Sequence, residues 1–201
     1  MTGRFVVLEG GDGSGKSTQR DLLVAWVRQQ GVEVVSTFEP GGTELGVQLR
    51  RLLLDGDQLD VRAEALLMAA DRAQHVAEVV RPALVRGEWV VSDRHVPSSL
   101  IYQGVVRELG VGAIAALSEF ATGGLVPDLV VLLHVDDETA ESRRSPGADR
   151  MEREGVAFHV AVRQAYRDLA DRFGWRVVDG GGAPGAVAER VRDAVRPLLA
   201  E

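Results

Sequence analysis

The chain has 201 residues, 45 % hydrophobic and 26 % charged, which is enough apolar material for one domain with a buried core. Its net charge of −7 argues against nucleic acid as a partner, because polyanion binders gather lysine and arginine in excess. The absence of cysteine excludes disulfides and thiolate metal sites and fits a reducing compartment.

Along the chain, apolar runs of strand type alternate with stretches of helical period. Residues 4–9, 32–38, 89–92, 129–135 and 175–178 read as five strands. Helical patterns fall near 45–54, 63–86, 98–121, 137–144, 152–173 and 184–199. A further helix follows the first strand, with Leu22, Leu23, Trp26 and Val27 at helical spacing and Gly31 as its stop. This alternation predicts an α/β fold, a five-stranded parallel sheet with helices on both faces. No repeat or linker divides the chain, so residues 1–201 are expected to form a single domain. No apolar stretch approaches membrane-spanning length, and Met1-Thr2-Gly3-Arg4 leads directly into the first strand. A cytoplasmic protein with no membrane partner is therefore expected.

Between the first strand and first helix stands Gly10-Gly11-Asp12-Gly13-Ser14-Gly15-Lys16-Ser17-Thr18, which fits the phosphate-binding pattern G-x-x-x-x-G-K-[ST]. Lys16 is the only lysine in a chain whose other basic residues are all arginine. Its survival against that bias marks a position where arginine does not substitute. The glycines allow successive backbone N–H groups to face one anion at a helix N-terminus. Lys16 would meet the β/γ-phosphates, and the Ser17 hydroxyl would ligate Mg²⁺. These residues predict binding of a nucleoside triphosphate with Mg²⁺.

Four further clusters carry chemistry. Glu39-Pro40-Gly41-Gly42-Thr43 closes the second strand, where ligands of doubly wound sheets sit, and Arg50 follows. Met68 and Arg72 are four apart and share a helix face; an arginine on an apolar face needs a partner. Asp93-Arg94-His95 ends the third strand, placing an acid for Mg²⁺ beside a cation for phosphate, with Ser99, Tyr102 and Gln103 beyond. Finally, Arg143, Arg144 and Arg150 flank a Pro/Gly break, a pattern suited to a lid over about 143–152 that neutralises a transferred phosphoryl group.

In this order the pieces resemble the thymidylate kinase (dTMP kinase) family of P-loop nucleoside monophosphate kinases. The likeness is carried by Glu9 through Ser17, Glu39 to Thr43, Arg50, Ala69 to Gln74, Asp93 to His95, Ser99 with Tyr102-Gln103-Gly104, Pro127-Asp128-Leu129, and Asp149-Arg150 with Glu152. The resemblance implies a three-layer P-loop kinase fold, a homodimer, and transfer of the γ-phosphoryl of ATP·Mg²⁺ to dTMP. It implies that Asp12 contacts the region between donor and acceptor, while Arg50 and Arg94 hold the acceptor phosphate. Arg72 would donate to a thymine carbonyl, Ser99 would face the base, and Tyr102 would pack under the sugar. Gln103 is a further acceptor candidate. The lid arginines Arg143, Arg144 and Arg150 would join Lys16, Asp12 and Arg94 as catalytic residues. Met68 stands where the family usually has Phe, and Phe38 where it often has Arg. The alternatives are a kinase for another nucleoside monophosphate, a deoxynucleoside kinase using Glu39 as base, and a silent nucleotide-binding module.

Overall fold

A computed structural model describes residues 3–143, 150–151 and 153–200. Five strands, β1 (Phe5–Glu9), β2 (Val34–Phe38), β3 (Trp89–Asp93), β4 (Leu129–His134) and β5 (Arg176–Asp179), form one sheet in the order β2-β3-β1-β4-β5. All four pairings are parallel, as the strand–helix alternation predicted. Side chains alternate across β1. Val6 and Leu8 face a core built with α1 (Lys16–Gln29) and α9 (Pro184–Val195), whereas Phe5 and Val7 pack against Val80 and Ala83 on the opposite side. A third cluster joins Leu132 to Ile101 and to Tyr166 and Leu169 of α8 (Val156–Phe173).

Helix ends follow capping chemistry more closely than apolar periodicity. α2 (Glu44–Arg50) starts at Thr43, whose hydroxyl accepts the Gly46 N–H, and runs into a π-helical turn over Arg51–Asp55. α3 (Val61–His75) starts at Asp60, whose carboxylate accepts the Arg62 and Ala63 N–H groups. It continues through a π-helical turn (Val76–Val80) into α4 (Arg81–Val85), spanning the helix expected at 63–86. The pattern at 98–121 is two helical stretches. α5 (Val96–Ser99) continues as a π-helical turn over Leu100–Val106, and α6 (Val111–Thr122) begins after Gly110, whose φ of 87° no regular helix accommodates. α7 covers Asp137–Ser142, and α8 begins only at Val156, after Gly155, not at 152. Most of the proposed lid, with Arg144, Asp149 and Glu152, lies outside the described residues. Among those described, no helix is long and apolar enough to cross a membrane.

Candidate functional site

The phosphate-loop pattern folds as its glycines require. β1 ends at Glu9, the chain turns through Gly13 (φ 79°) and Gly15 (φ 89°), and α1 begins at Lys16. A β-carbon on Gly13 would run into the Ala140 carbonyl, so only glycine fits this turn. Lys16 is buried, and its Nζ donates to the Gly11 carbonyl at 3.0 Å, which folds the ammonium back over the loop. Burial and the Arg94 charge lower its pKa, opposed by Asp93, Asp12 and Glu9. Ser17 at the start of α1 and Asp93 at the end of β3 both line the cleft beside this loop. They are hard oxygen donors of the kind Mg²⁺ takes, so the residues fit that ion.

Arg94 follows β3 in the left-handed region (φ 71°), a strained conformation for a non-glycine residue and one common at functional sites. The bend carries its guanidinium back over the phosphate loop. Nη2 meets Asp12 Oδ1 at 2.6 Å, and Nη1 donates to Ser98 Oγ at 3.0 Å and the Gly10 carbonyl at 3.3 Å. Its guanidinium carbon sits 5.3 Å from the Tyr102 ring centroid, a cation–π contact. Burial disfavours the cation, yet Tyr102, Asp12, Tyr166 and Glu9 hold its pKa well above the ordinary value. Arg94 is therefore a fixed positive charge. Burial disfavours the Tyr102 phenolate and so raises its pKa, keeping a neutral phenol in the cleft wall.

A second network lies beneath the β2–α2 loop. Glu39 is buried; its Oε2 accepts Arg72 Nε at 2.9 Å, and its Oε1 accepts Nδ1–H of both His75 and His95 at 2.8 Å. These three residues are also close enough together to hold a metal, but the hydrogen bonds fully account for their approach. Burial alone would raise the Glu39 pKa; His95, Arg72 and the hydrogen bonds from both histidines hold it well below the usual carboxylate range. Both Glu39 oxygens are thus engaged by donors of the protein itself, which weighs against Glu39 taking a proton from a sugar hydroxyl as a deoxynucleoside kinase would need. Arg72 also donates through Nη2 to the His95 carbonyl and Ser99 Oγ, and through Nη1 to Ser118 Oγ. Four of its five N–H groups are thereby used, leaving one on Nη1.

The cleft measures about 420 Å³ and runs from Lys16 and Ser17, past Asp12, Asp93 and Arg94, to Phe38, Arg50, Met68, Arg72, Ser99, Tyr102 and Gln103. Asp12, Lys16 and Ser17 of the phosphate-loop segment thus line the same cavity as the acceptor candidates. Arg50 donates to the Pro40 carbonyl at 2.8 Å and packs over the Phe38 ring, 5.9 Å from its centroid. Two of the expected lid cations point elsewhere. Arg143 donates to the Gly180 and Gly182 carbonyls in the loop after β5. Arg150 binds Glu64 and the Leu53 carbonyl, and does not line the cleft. Neither guanidinium lines the cleft: Arg143 holds the Gly180 loop, which packs against the Ser14 carbonyl of the phosphate loop, and Arg150 ties α3 to the turn after α2.

Sequence reasoning assigned no role to several supporting groups. Glu9 is buried; Oε1 accepts the His95 and Ser98 N–H groups, and Oε2 accepts the Ser98 and Tyr166 hydroxyls. It thereby fixes the Asp93–Ser98 turn that aims Arg94. A glutamate ending an otherwise apolar strand was the available signal, since a buried charge needs partners. Asp71 lines the cleft and accepts the Gly41 N–H at 3.0 Å, while Glu64 holds Gln103 at 2.8 Å; neither stood out by spacing.

The thymidylate kinase family model matches residues 8–191. A thymidylate kinase of Clavibacter michiganensis subsp. michiganensis is 49 % identical over 208 residues, covering 100 % of this chain and 98 % of the relative. One of Trichormus variabilis is 43 % identical over 209 residues, covering 100 % and 99 %. One of Leifsonia xyli subsp. xyli is 50 % identical over 198 residues, covering 94 % and 93 %. Matches of this strength along the whole length, on a sheet that presents a phosphate loop to a buried Arg72–Glu39 pair, leave one conclusion: the chain belongs to the thymidylate kinase family.

Proposed function

We propose that the protein transfers the γ-phosphoryl group of ATP·Mg²⁺ to dTMP, giving ADP and dTDP. The observation that carries this reading is the single cleft joining the phosphate loop at Lys16 to a pocket lined by Arg50, Arg94, Arg72 and Ser99. Arginine at Arg50 and Arg94 suits an acceptor that itself bears a phosphate. The remaining Arg72 N–H and the Ser99 hydroxyl suit a base with carbonyl and N–H edges. Met68 covers the base with a polarizable thioether.

The acceptor phosphate has a second pKa near 6, so at neutral pH it is mostly a dianion and needs no general base. Catalysis then consists of alignment and charge neutralisation. The phosphate-loop N–H groups and Lys16 bind the donor phosphates, while Arg94, held by Asp12, orients the acceptor phosphate toward them. Tyr102 packs under the sugar, with its hydroxyl toward Asp12. Ser17 and Asp93 would hold Mg²⁺, which when bound offsets charge on the donor oxygens. Arg143 and Arg144 are the lid candidates for further neutralisation, and a homodimer working in the cytoplasm completes the reading.

The test is ADP release with ATP·Mg²⁺ against dTMP, dUMP, UMP, CMP, AMP, GMP and thymidine. Strong preference for dTMP is expected, and Lys16→Ala should lower kcat by roughly a thousandfold or more with its circular dichroism unchanged. Turnover of thymidine alone, or wild-type rates from Lys16→Ala, would sink the reading. Preference for another monophosphate would keep the mechanism and move the substrate, with Met68 responsible.

A further inference from the structure

Glu64 lies one helical turn before Met68 on α3 and is 1 % exposed. A buried carboxylate persists only among donors, and here they come from two other parts of the chain, the segment around 103–107 and Arg150. Gln103 Nε2, from the π-helical turn after α5, donates to Oε1 at 2.8 Å. Arg150 Nη2 donates to Oε2 at 2.6 Å, and Arg107 Nε lies 3.7 Å from Oε1. Arg150 is tied further: its Nε donates to the Leu53 carbonyl at 2.9 Å and its backbone N–H to the Leu54 carbonyl at 2.8 Å. Arg107 in turn holds Glu154 at 2.6 Å and packs over Phe158. Gln103, Leu54 and Met151, the residue after Arg150, all line the acceptor end of the cleft.

We propose that Glu64 is a positioning residue for the acceptor, holding Gln103 and Arg150 so that Gln103, Leu54 and Met151 form a fixed wall, and that Arg150 serves in this wall. The inference rests on reading that end of the cleft as the dTMP site. It gives Arg150 a different role from the transition-state cation that its place beside the lid suggests. Neutralising Glu64 leaves two guanidinium groups without their shared counter-charge. Arg150, which is only partly buried, then turns to solvent, and the wall loosens. The phosphate loop makes no contact with this cluster among the described hydrogen bonds, so the donor side stays intact.

Glu64→Gln and Arg150→Met, compared with wild type by steady-state kinetics in each substrate, test the proposal. Both variants should raise the KM for dTMP by about tenfold, keep the KM for ATP within about twofold and change kcat little, the signature of lost acceptor binding. Combining them should add little to either alone, since they remove one interaction. An unchanged dTMP KM, or an ATP KM that rises in parallel, overturns the proposal. So does an Arg150→Met enzyme whose kcat falls roughly a hundredfold at unchanged dTMP KM, which would put that arginine at the transferred group. Should Glu64→Gln fail to fold, Arg150→Met decides the question alone. Wild type inactive on dTMP but active on another acceptor defeats the dTMP reading, and the same KM comparison is then made with that acceptor; wild type inactive on all of them overturns both inferences.

Discussion

Asp71 and Glu39 are both buried beside the acceptor pocket, yet their environments push them in opposite directions. Glu39 has Arg72 and two histidine N–H groups, so its charge is stabilised; its contribution is present above the usual carboxylate range and is lost as pH falls through its depressed pKa. Asp71 has one backbone N–H, from Gly41, and its Oδ2 has no hydrogen-bond partner. Burial, then repulsion from Glu39, raises its pKa to about 6. The native state therefore binds this proton more tightly than the unfolded chain, and stability declines as pH rises from about 4 through about 6. A shift of this size corresponds to no more than about 3 kcal/mol. Asp71→Asn keeps an acceptor for Gly41 and removes the ionisation. Its urea stability relative to wild type should improve as pH goes from 4 to 7.5. A difference that stays flat across this range would show that Asp71 does not titrate there.

At the scale of elements, Gly110 separates two behaviours. It allows Leu100–Val106, which carries Tyr102 and Gln103 in the cleft wall, to end before α6 begins. A β-carbon there would meet nothing within 4 Å, so the only cost of Gly110→Ala is the positive φ. That cost is about 1–2 kcal/mol. For a chain of this size it lowers Tm by roughly 2–8 °C, with kcat/KM unchanged well below the transition. A loss of activity without a Tm change would mean that the joint matters for the cleft more than for folding. The same joint shows what sequence can reveal. The strands were legible because strands buried on both faces are continuous apolar runs, and 129–135 or 89–92 admit little else. The break at Gly110 was not, because apolar spacing continues across it and only the backbone angle ends the helix. The phosphate loop, Arg72 and Arg94 were legible for local reasons: glycine spacing, a charge on an apolar face, and a strand end. Their supports were not. Tyr166 meets Glu9 across 157 residues, and Arg150 meets Glu64 across 86; no local pattern encodes such pairs.

Over the whole molecule, several large apolar side chains are exposed, including four on neighbouring helical segments. α2, α3 and α6 pack side by side, and their outer faces expose Leu45, Leu66 and Phe120, with Leu52 on the turn after α2. Phe120 is 88 % exposed, and large apolar groups gathered on adjacent helices mark an interface more often than open surface. A two-fold partner presenting the same face would cover them, consistent with the homodimer we infer. The inner side of α3 carries Met68 and Arg72 in the acceptor pocket, so an interface along its outer side would brace that wall from behind. Sedimentation of the wild type should therefore give about twice the chain mass of 21.6 kDa. Phe120→Asp combined with Leu66→Glu should shift it to monomer. The monomer should retain the fold but bind dTMP several-fold more weakly, with ATP little changed, since only the acceptor wall loses its support. A wild type that is monomeric at micromolar concentration would refute the interface. A monomeric variant with unaltered dTMP affinity would keep the interface and show that α3 holds the pocket without it.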